Sequence, residues 1–313
     1  MPPSADRAAL KARIAKGVEA AHLRALDLAR QGFRAILTRR EKDFPALAEQ
    51  TVLQIPTANG DLEGRLYRPV DVAPDAPLLL FFHGGGFVVS DLDTHEALCI
   101  RLAHAAGVRV LSAAYRLAPE NRFPAQVDDA AAVTRWVLND FEGGSARTAG
   151  LTLGGDSAGG YLALCAWDAV KDDTPDAVRA LLLIYPLLHI DESVWASSMM
   201  RETRVLGWAA VRYIRAQLLP VGVTASSWLD RPDLVTPSMV IVSGGVLDPV
   251  RADALVFRDR LRANGVTVEW REYPTMIHGF ANLTHAVRTA REAVGEVGRL
   301  VGEMARKTDL KSA

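Results

Sequence analysis

Gly155-Asp156-Ser157-Ala158-Gly159 sets a hydroxyl between two glycines, directly after the apolar run Leu151 to Leu153 and before an apolar helical stretch. Strand, sharp turn and helix is the setting in which a serine becomes a nucleophile, because the turn projects Oγ outward while the flanking glycines leave room for crowded backbone. The plainer reading is a glycine-rich turn that happens to hold a serine. A phosphate-cradling loop would need Gly-Lys-Ser or Gly-Lys-Thr, and Gly159, Gly160 and Tyr161 stand there instead. The glycines do not fit G-x-G-x-x-G either, which sets nucleotide binding aside.

A hydroxyl attacking an ester or amide carbonyl turns the carbonyl oxygen into an anion, so the chemistry asks for prearranged amide donors. His83-Gly84-Gly85-Gly86 follows the apolar run Leu78 to Phe82, and three glycines let N-H groups face a ligand without obstruction. Gly85, Gly86 and the amide of Ala158 are the expected oxyanion-hole donors. His83 is expected to make a structural hydrogen bond within its loop.

The hydroxyl also needs an imidazole to take its proton and a carboxylate to orient that imidazole. In folds that carry this elbow the chain order is serine, acid, histidine. After Ser157 the histidines are His189, His278 and His285, and His278 alone sits just past an apolar strand, in Tyr273 to Phe280. For the acid, Asp248 follows Met239 to Val242 through Ser243-Gly244-Gly245 and precedes Pro249. Helix capping is the other reading of Asp248. Asp230 and Asp233 precede the strand, and Asp253 belongs to the helix beyond it.

The elements that must hold these groups are legible as patterns. Short apolar runs recur at Leu78 to Phe82, Val108 to Tyr115, Leu151 to Leu153, Ala180 to Tyr185, Met239 to Val242 and Val266 to Tyr273. Helical stretches lie between them, such as Asp128 to Leu138, Tyr161 to Val170 and Asp253 to Arg262, which is the grammar of a parallel sheet covered on both faces. Before it, Thr51 to Pro56 and Leu62 to Tyr67 flank Asn59 and Gly60 as an antiparallel hairpin. Ile14, Val18, Ala21, Ala25 and Leu28 predict an N-terminal helix with one apolar face, and Ala290, Val294, Val297, Val301 and Met304 a last helix packed on the sheet. His189 to Ser227, with Trp195, Met199, Met200, Trp208 and Tyr213, interrupts the alternation and reads as an inserted cap.

Charge excludes some partners. Thirty-six Lys and Arg against 37 Asp and Glu leave a net charge of −1, with both signs interspersed, so neither nucleic acid nor an anionic membrane surface is an expected partner. Cys99 and Cys165 stand alone in apolar helical stretches and read as core residues, not as metal ligands. Met1 to Ala20 carries charges throughout, no segment has the length of a membrane span, and a cytoplasmic protein is expected.

These motifs together resemble the bacterial hormone-sensitive lipase family of esterases and lipases, from about Leu78 to Phe280. The oxyanion motif matches His83-Gly84-Gly85-Gly86-Phe87, the nucleophile motif Gly155 to Gly160, the acid loop Asp248-Pro249 and the histidine loop His278-Gly279-Phe280. Tyr115-Arg116-Leu117-Ala118-Pro119-Glu120 and Phe123-Pro124-Ala125 match its signature after the fourth strand. Tyr161 stands where relatives commonly carry Asn, and Asp253 falls one place later than the family's second acid. The resemblance implies an α/β-hydrolase fold with a mostly parallel eight-stranded sheet, helices on both faces and a helical cap. One unit then spans 1–313, with the core at about 51–186 and 228–313 and the cap at about 1–50 and 187–227.

It further implies a serine carboxylesterase for short-chain esters with Ser157, Asp248 and His278 as its triad. Phe87, Tyr185 and Trp208 are the expected substrate-pocket residues. No cofactor and no metal are expected. The expected partner is a small-molecule ester, with a homodimer left open. An amidase or acyltransferase with the same triad is the nearer alternative. A non-catalytic small-ligand receptor on this fold is the more remote one, since receptor relatives lack the histidine present here as His278.

Overall fold

Asn59 and Gly60 turn the chain as expected, and β1 (Leu47–Ile55) pairs antiparallel with β2 (Leu62–Pro69), starting at Leu47 rather than Thr51. β2 pairs antiparallel with β4 (Arg109–Ala113) as well. From there every pairing is parallel: β4 with β3 (Leu78–Phe82), β3 with β5 (Leu151–Asp156), then β6 (Val178–Ile184), β7 (Ser238–Gly244) and β8 (Val268–Tyr273). The computed structural model describes residues 5–38, 44–190 and 208–306, and within these the sheet has eight strands in the order β1-β2-β4-β3-β5-β6-β7-β8.

This order has a physical consequence at β3 and β5. Every residue of both strands is buried, as continuously apolar or glycine-rich runs permit. The chain leaves β3 through α2 (Glu96–Ala106) toward β4 on one side, and leaves β5 through α5 (Ala158–Asp168) toward β6 on the other. Right-handed crossovers running in opposite directions put α2 and α5 on opposite faces and open a crevice beyond the carboxyl ends of the two strands. His83 to Gly86 and Ser157 stand at those two ends.

The remaining helices follow the same logic. α3 (Ala125–Asn139) packs on α5, and the short α4 (Ala146–Ala149) leads into β5. α6 (Trp208–Leu218) precedes β7, and α7 (Arg251–Ala263) links β7 to β8. In α8 (Arg288–Arg306) the predicted stripe Ala290, Val294, Val297, Val301 and Met304 is buried, and the helix packs against α2. Burying a side chain such as Val297 or Val301 contributes about 1.5–3 kcal/mol.

One expected face is wrong. α1 (Ala5–Leu37) forms, but Val18 and Leu28 are 65% and 68% exposed, and Ala21 and Ala25 are exposed too. Leu26 is the buried position, with His22, Leu23 and Arg30 half-buried beside it. The cause is that α1 docks by polar contacts, which a hydrophobic period cannot reveal. Arg30 donates to the carbonyls of Val88 at 2.8 Å and Ala118 at 2.9 Å and forks onto Glu120, while Arg34 pairs with Asp91 and Asp93. His22 meets Gln217 of α6 at 3.0 Å. Trp195, Met199 and Met200, expected in the cap, and the side chains of Ile14 and Trp208 lie outside the described residues.

Candidate active site

β5 delivers Ser157 into a turn with φ 52° and ψ −115°, a region that costs a non-glycine residue roughly 1–3 kcal/mol. The surroundings enforce it. A Cβ on Gly159 would stand 1.9 Å from the Phe82 carbonyl oxygen, and one on Gly155 2.3 Å from the backbone of Gly159. β3, β5 and α5 therefore approach as closely as they do only because both positions are glycine, and Ser157 is pressed outward between them.

The loop after β3 is held from below. The Tyr115 hydroxyl donates to the His83 carbonyl at 2.8 Å, and His83 Nδ1 lies 2.8 Å from the Gly84 carbonyl oxygen. The His83 ring stacks on Tyr115 with centroids 4.3 Å apart. Burial, with His95 nearby, pushes the His83 imidazole down to about 4, so it stays neutral and structural, as expected. Gly85 and Gly86 take φ of 108° and 62°, and among the described residues the amides of Gly85, Gly86 and Ala158 have no protein acceptor.

The structure brings Ser157, Asp248 and His278 together. His278 Nε2 lies 2.9 Å from Ser157 Oγ, and Nδ1 lies 3.0 Å from Asp248 Oδ1. A carboxylate can only accept, so Nδ1 carries the proton and Nε2 is left to accept from the serine hydroxyl. Asp248 is buried and held by the amides of Gly244 at 3.3 Å and Val250 at 3.1 Å, the second at the entrance to α7. Asp248 is not the helix cap, since the N-cap position is Val250 and no side chain caps it, so the carboxylate serves the orienting reading. Burial disfavours a charged His278, but the Asp248 carboxylate outweighs it and raises the imidazole above its ordinary value.

Ser157 and His278 border a cavity of about 360 Å³. Gly85, Gly86, Ser157 and His278 form one side of it, while α1 contributes Phe33, Ile36 and Leu37 and α6 contributes Val211 and Ile214. A larger groove of about 650 Å³, between α3, α5 and Trp228, contains none of the triad. Chemistry, not size, picks out the site. Among the described residues no cluster of His, Cys, Asp or Glu could hold a metal ion, and no helix is long and apolar enough to cross a membrane.

A family model described as the alpha/beta hydrolase fold matches residues 79–282, which include Ser157, Asp248, His278 and the amides of Gly85, Gly86 and Ala158. The chain belongs to this family. Esterase LipI of Mycobacterium tuberculosis is 32% identical over 300 residues, covering 92% of this chain and 89% of its own. Ethyl acetate hydrolase of Pseudomonas putida is 32% identical, covering 77% and 79%. Among solved structures, an α/β-hydrolase from the metagenome of Lake Arreo superposes with a TM-score of 0.79 at 29% identity, covering 93% and 96%. An ester hydrolase from the same metagenome, solved with a bipyridine phosphonate derivative, gives 0.77 at 29% identity, covering 93% and 97%. The hormone-sensitive lipase group is the branch concerned, and the α/β-hydrolase described here is a carboxylic ester hydrolase.

The other expected residues divide. Tyr185 lines the cavity, its ring 4.8 Å from that of His278. Phe87 does not: it is buried beneath the loop, edge-on to Tyr161 at 6.1 Å, because the positive φ that follows Gly86 turns its ring inward. His189 is buried and pairs with Asp253 at 2.9 Å, which removes both from the site. Tyr161 uses its hydroxyl on the Ser226 carbonyl at 2.9 Å. Burial pushes the Cys99 and Cys165 thiols up to about 12; Cys99 is a buried core residue as expected, whereas Cys165 is half-buried and lines the groove beside Trp228.

Sequence reasoning missed Asp156, His95 and Asn282, which border the same cavity. Asp156 had been a mere spacer in the serine motif. Burial would raise its carboxyl, but His95 and the Gly84 amide hold it below the usual carboxylate range. A buried charge beside the serine is a readable signal, whereas nothing in the pattern marks His95 or Asn282.

Proposed function

We propose that this α/β-hydrolase cleaves short-chain carboxylic esters through an acyl-enzyme intermediate formed on Ser157. The observation that carries the reading is the unbroken run of hydrogen bonds from Asp248 through His278 to Ser157, ending beside three amides without acceptors among the described residues. Ser157 Oγ attacks the ester carbonyl as His278 Nε2 takes its proton, and the oxyanion enters the space faced by Gly85, Gly86 and Ala158. His278 returns the proton to the leaving alcohol, and a water activated by the same nitrogen releases the acid. Asp248 fixes the tautomer and stabilises the imidazolium throughout.

Small size and apolar walls support short acyl groups, since the lining from α1 and α6 offers no charge to a polar chain. That the P. putida relative is an ethyl acetate hydrolase agrees with this preference. The test is a series of p-nitrophenyl esters from acetate to laurate. Highest kcat/KM at acetate to hexanoate is the expected outcome, and an optimum at the longest chains would overturn the preference.

A further inference from the structure

The triad makes no use of the buried carboxylate of Asp156, which sits where three loops meet. Its Oδ1 accepts from the Gly84 amide at 2.8 Å and lies 3.0 Å from His95 Nε2. Its Oδ2 accepts from Asn282 Nδ2 at 3.2 Å and from the Tyr185 hydroxyl at 3.4 Å. Asn282 Nδ2 is in turn 3.1 Å from His95 Nε2. The ring of His95 is itself fixed. The Asp156 carboxylate can only accept, so His95 Nε2 carries a proton toward it, while Nδ1 lies 2.9 Å from Thr94 Oγ1.

The placement of these groups in the chain gives the cluster its consequence. Gly84 begins the glycine loop, Asp156 precedes Ser157, and Asn282 follows His278 in the same loop. Glycine backbone has no side chain to pin it, so the Gly85 and Gly86 amides are aimed by hydrogen bonds along the loop: the Gly85 carbonyl accepts from the amides of Val88 at 3.2 Å and Val89 at 3.0 Å, and the Gly84 amide on Asp156 anchors the start of the loop. A carboxylate has two oxygens, enough to hold Gly84 with one and the histidine loop with the other.

We infer that His95 and Asn282 are positioning residues, which seat the Asp156 carboxylate under Gly84 and thereby aim the Gly85 and Gly86 amides at the oxyanion formed on Ser157. This rests on the reading of Ser157 as nucleophile. Neither residue touches the Ser157–His278 or His278–Asp248 hydrogen bonds; their effect passes through Gly84.

His95→Leu removes the ring nitrogens at similar bulk, and His95→Gln restores an amide near the Nε2 position that can donate or accept. On p-nitrophenyl butyrate, His95→Leu is expected to lower kcat about 10- to 100-fold with KM within about twofold, less than the roughly 100- to 1,000-fold of deleting a donor outright. Affinity for a trifluoromethyl ketone, which places an oxyanion in the loop, falls by the same factor. His95→Gln recovers kcat to within about threefold, given that it returns the lost hydrogen bond. Asn282→Leu, at the cavity edge, gives the same split and serves if His95→Leu does not fold. Wild-type kcat in a folded Leu variant, equal loss in Leu and Gln, or a loss confined to KM would each overturn the inference. A phosphonate adduct on a residue other than Ser157 in the unaltered protein would instead mean that the underlying reading has failed.

Discussion

Around Ser157 the backbone is fixed by atoms that have nowhere to go: the Phe82 carbonyl meets Gly159, Gly155 meets Gly159, and every residue of β3 and β5 is buried. Helix α1 closes the same cavity by other means. It turns Val18 and Leu28 to solvent, buries Leu26, and is held by the guanidinium of Arg30 on two carbonyls and Glu120. The first region stores strain and keeps it, because chemistry needs the hydroxyl and the amides in fixed relation. The second is fastened largely by polar contacts. One cavity thus has a floor set by close backbone packing and a roof set by polar fastenings, and mutations on the two sides should fail differently.

The largest expected effect lies on the floor. Ser157→Ala should reduce kcat by about 10⁵- to 10⁶-fold with binding retained, measured as turnover of p-nitrophenyl butyrate. Asp248→Asn should cost about 10³- to 10⁴-fold through the wrong tautomer of His278. The pH profile sharpens this. His278 must be neutral to act, and Asp248 raises its pKa, so the acidic limb of kcat/KM should lie above the ordinary imidazole value of 6.5. Activity therefore rises with pH through that limb. Removing the Asp248 charge should move it to lower pH, and an unmoved limb would assign the titration to another group.

On the roof the effects are smaller and fall on binding. Arg30→Ala releases α1 from Val88, Ala118 and Glu120, and with it the seat of Phe33, Ile36 and Leu37. KM should rise about 3- to 10-fold with kcat nearly unchanged, the pattern of lost uniform binding. A fall in kcat comparable to that of Asp248→Asn would erase the distinction between the two regions. Smallest of all, Leu28→Ala should change stability by no more than about 0.5 kcal/mol in denaturant unfolding, being a surface change. Leu153→Ala, in the packed strand below Ser157, should cost about 2–5 kcal/mol.

The same contrast governs what the sequence makes legible. β3, β5, β6 and β7 read correctly because strands covered on both faces are written as largely apolar runs, and Ser157 and Asp248 follow because each stands beyond such a strand's carboxyl end, whereas His278 follows the half-buried edge strand β8. α8 reads correctly because apolar packing holds it. α1 is different: its stripe of Val18, Ala21, Ala25 and Leu28 predicts the helix but the wrong face, since long-range pairs such as Arg30 with Glu120 have no periodicity. Phe87 misleads for a related reason, because a positive φ redirects a side chain without leaving a trace in residue type. Asp156, His95 and Asn282 meet only through the fold, and no local pattern joins them.

The most direct measurement is of mass. Treating the purified protein with a p-nitrophenyl phosphonate and recording its intact mass, then mapping the modified peptide, reports which atom is nucleophilic. One phosphonyl group on the peptide containing Ser157, absent from Ser157→Ala and slowed in Asp248→Asn, is the predicted result. A protein that hydrolyses esters yet takes no adduct at Ser157, or is labelled equally after Ser157→Ala, would contradict the account.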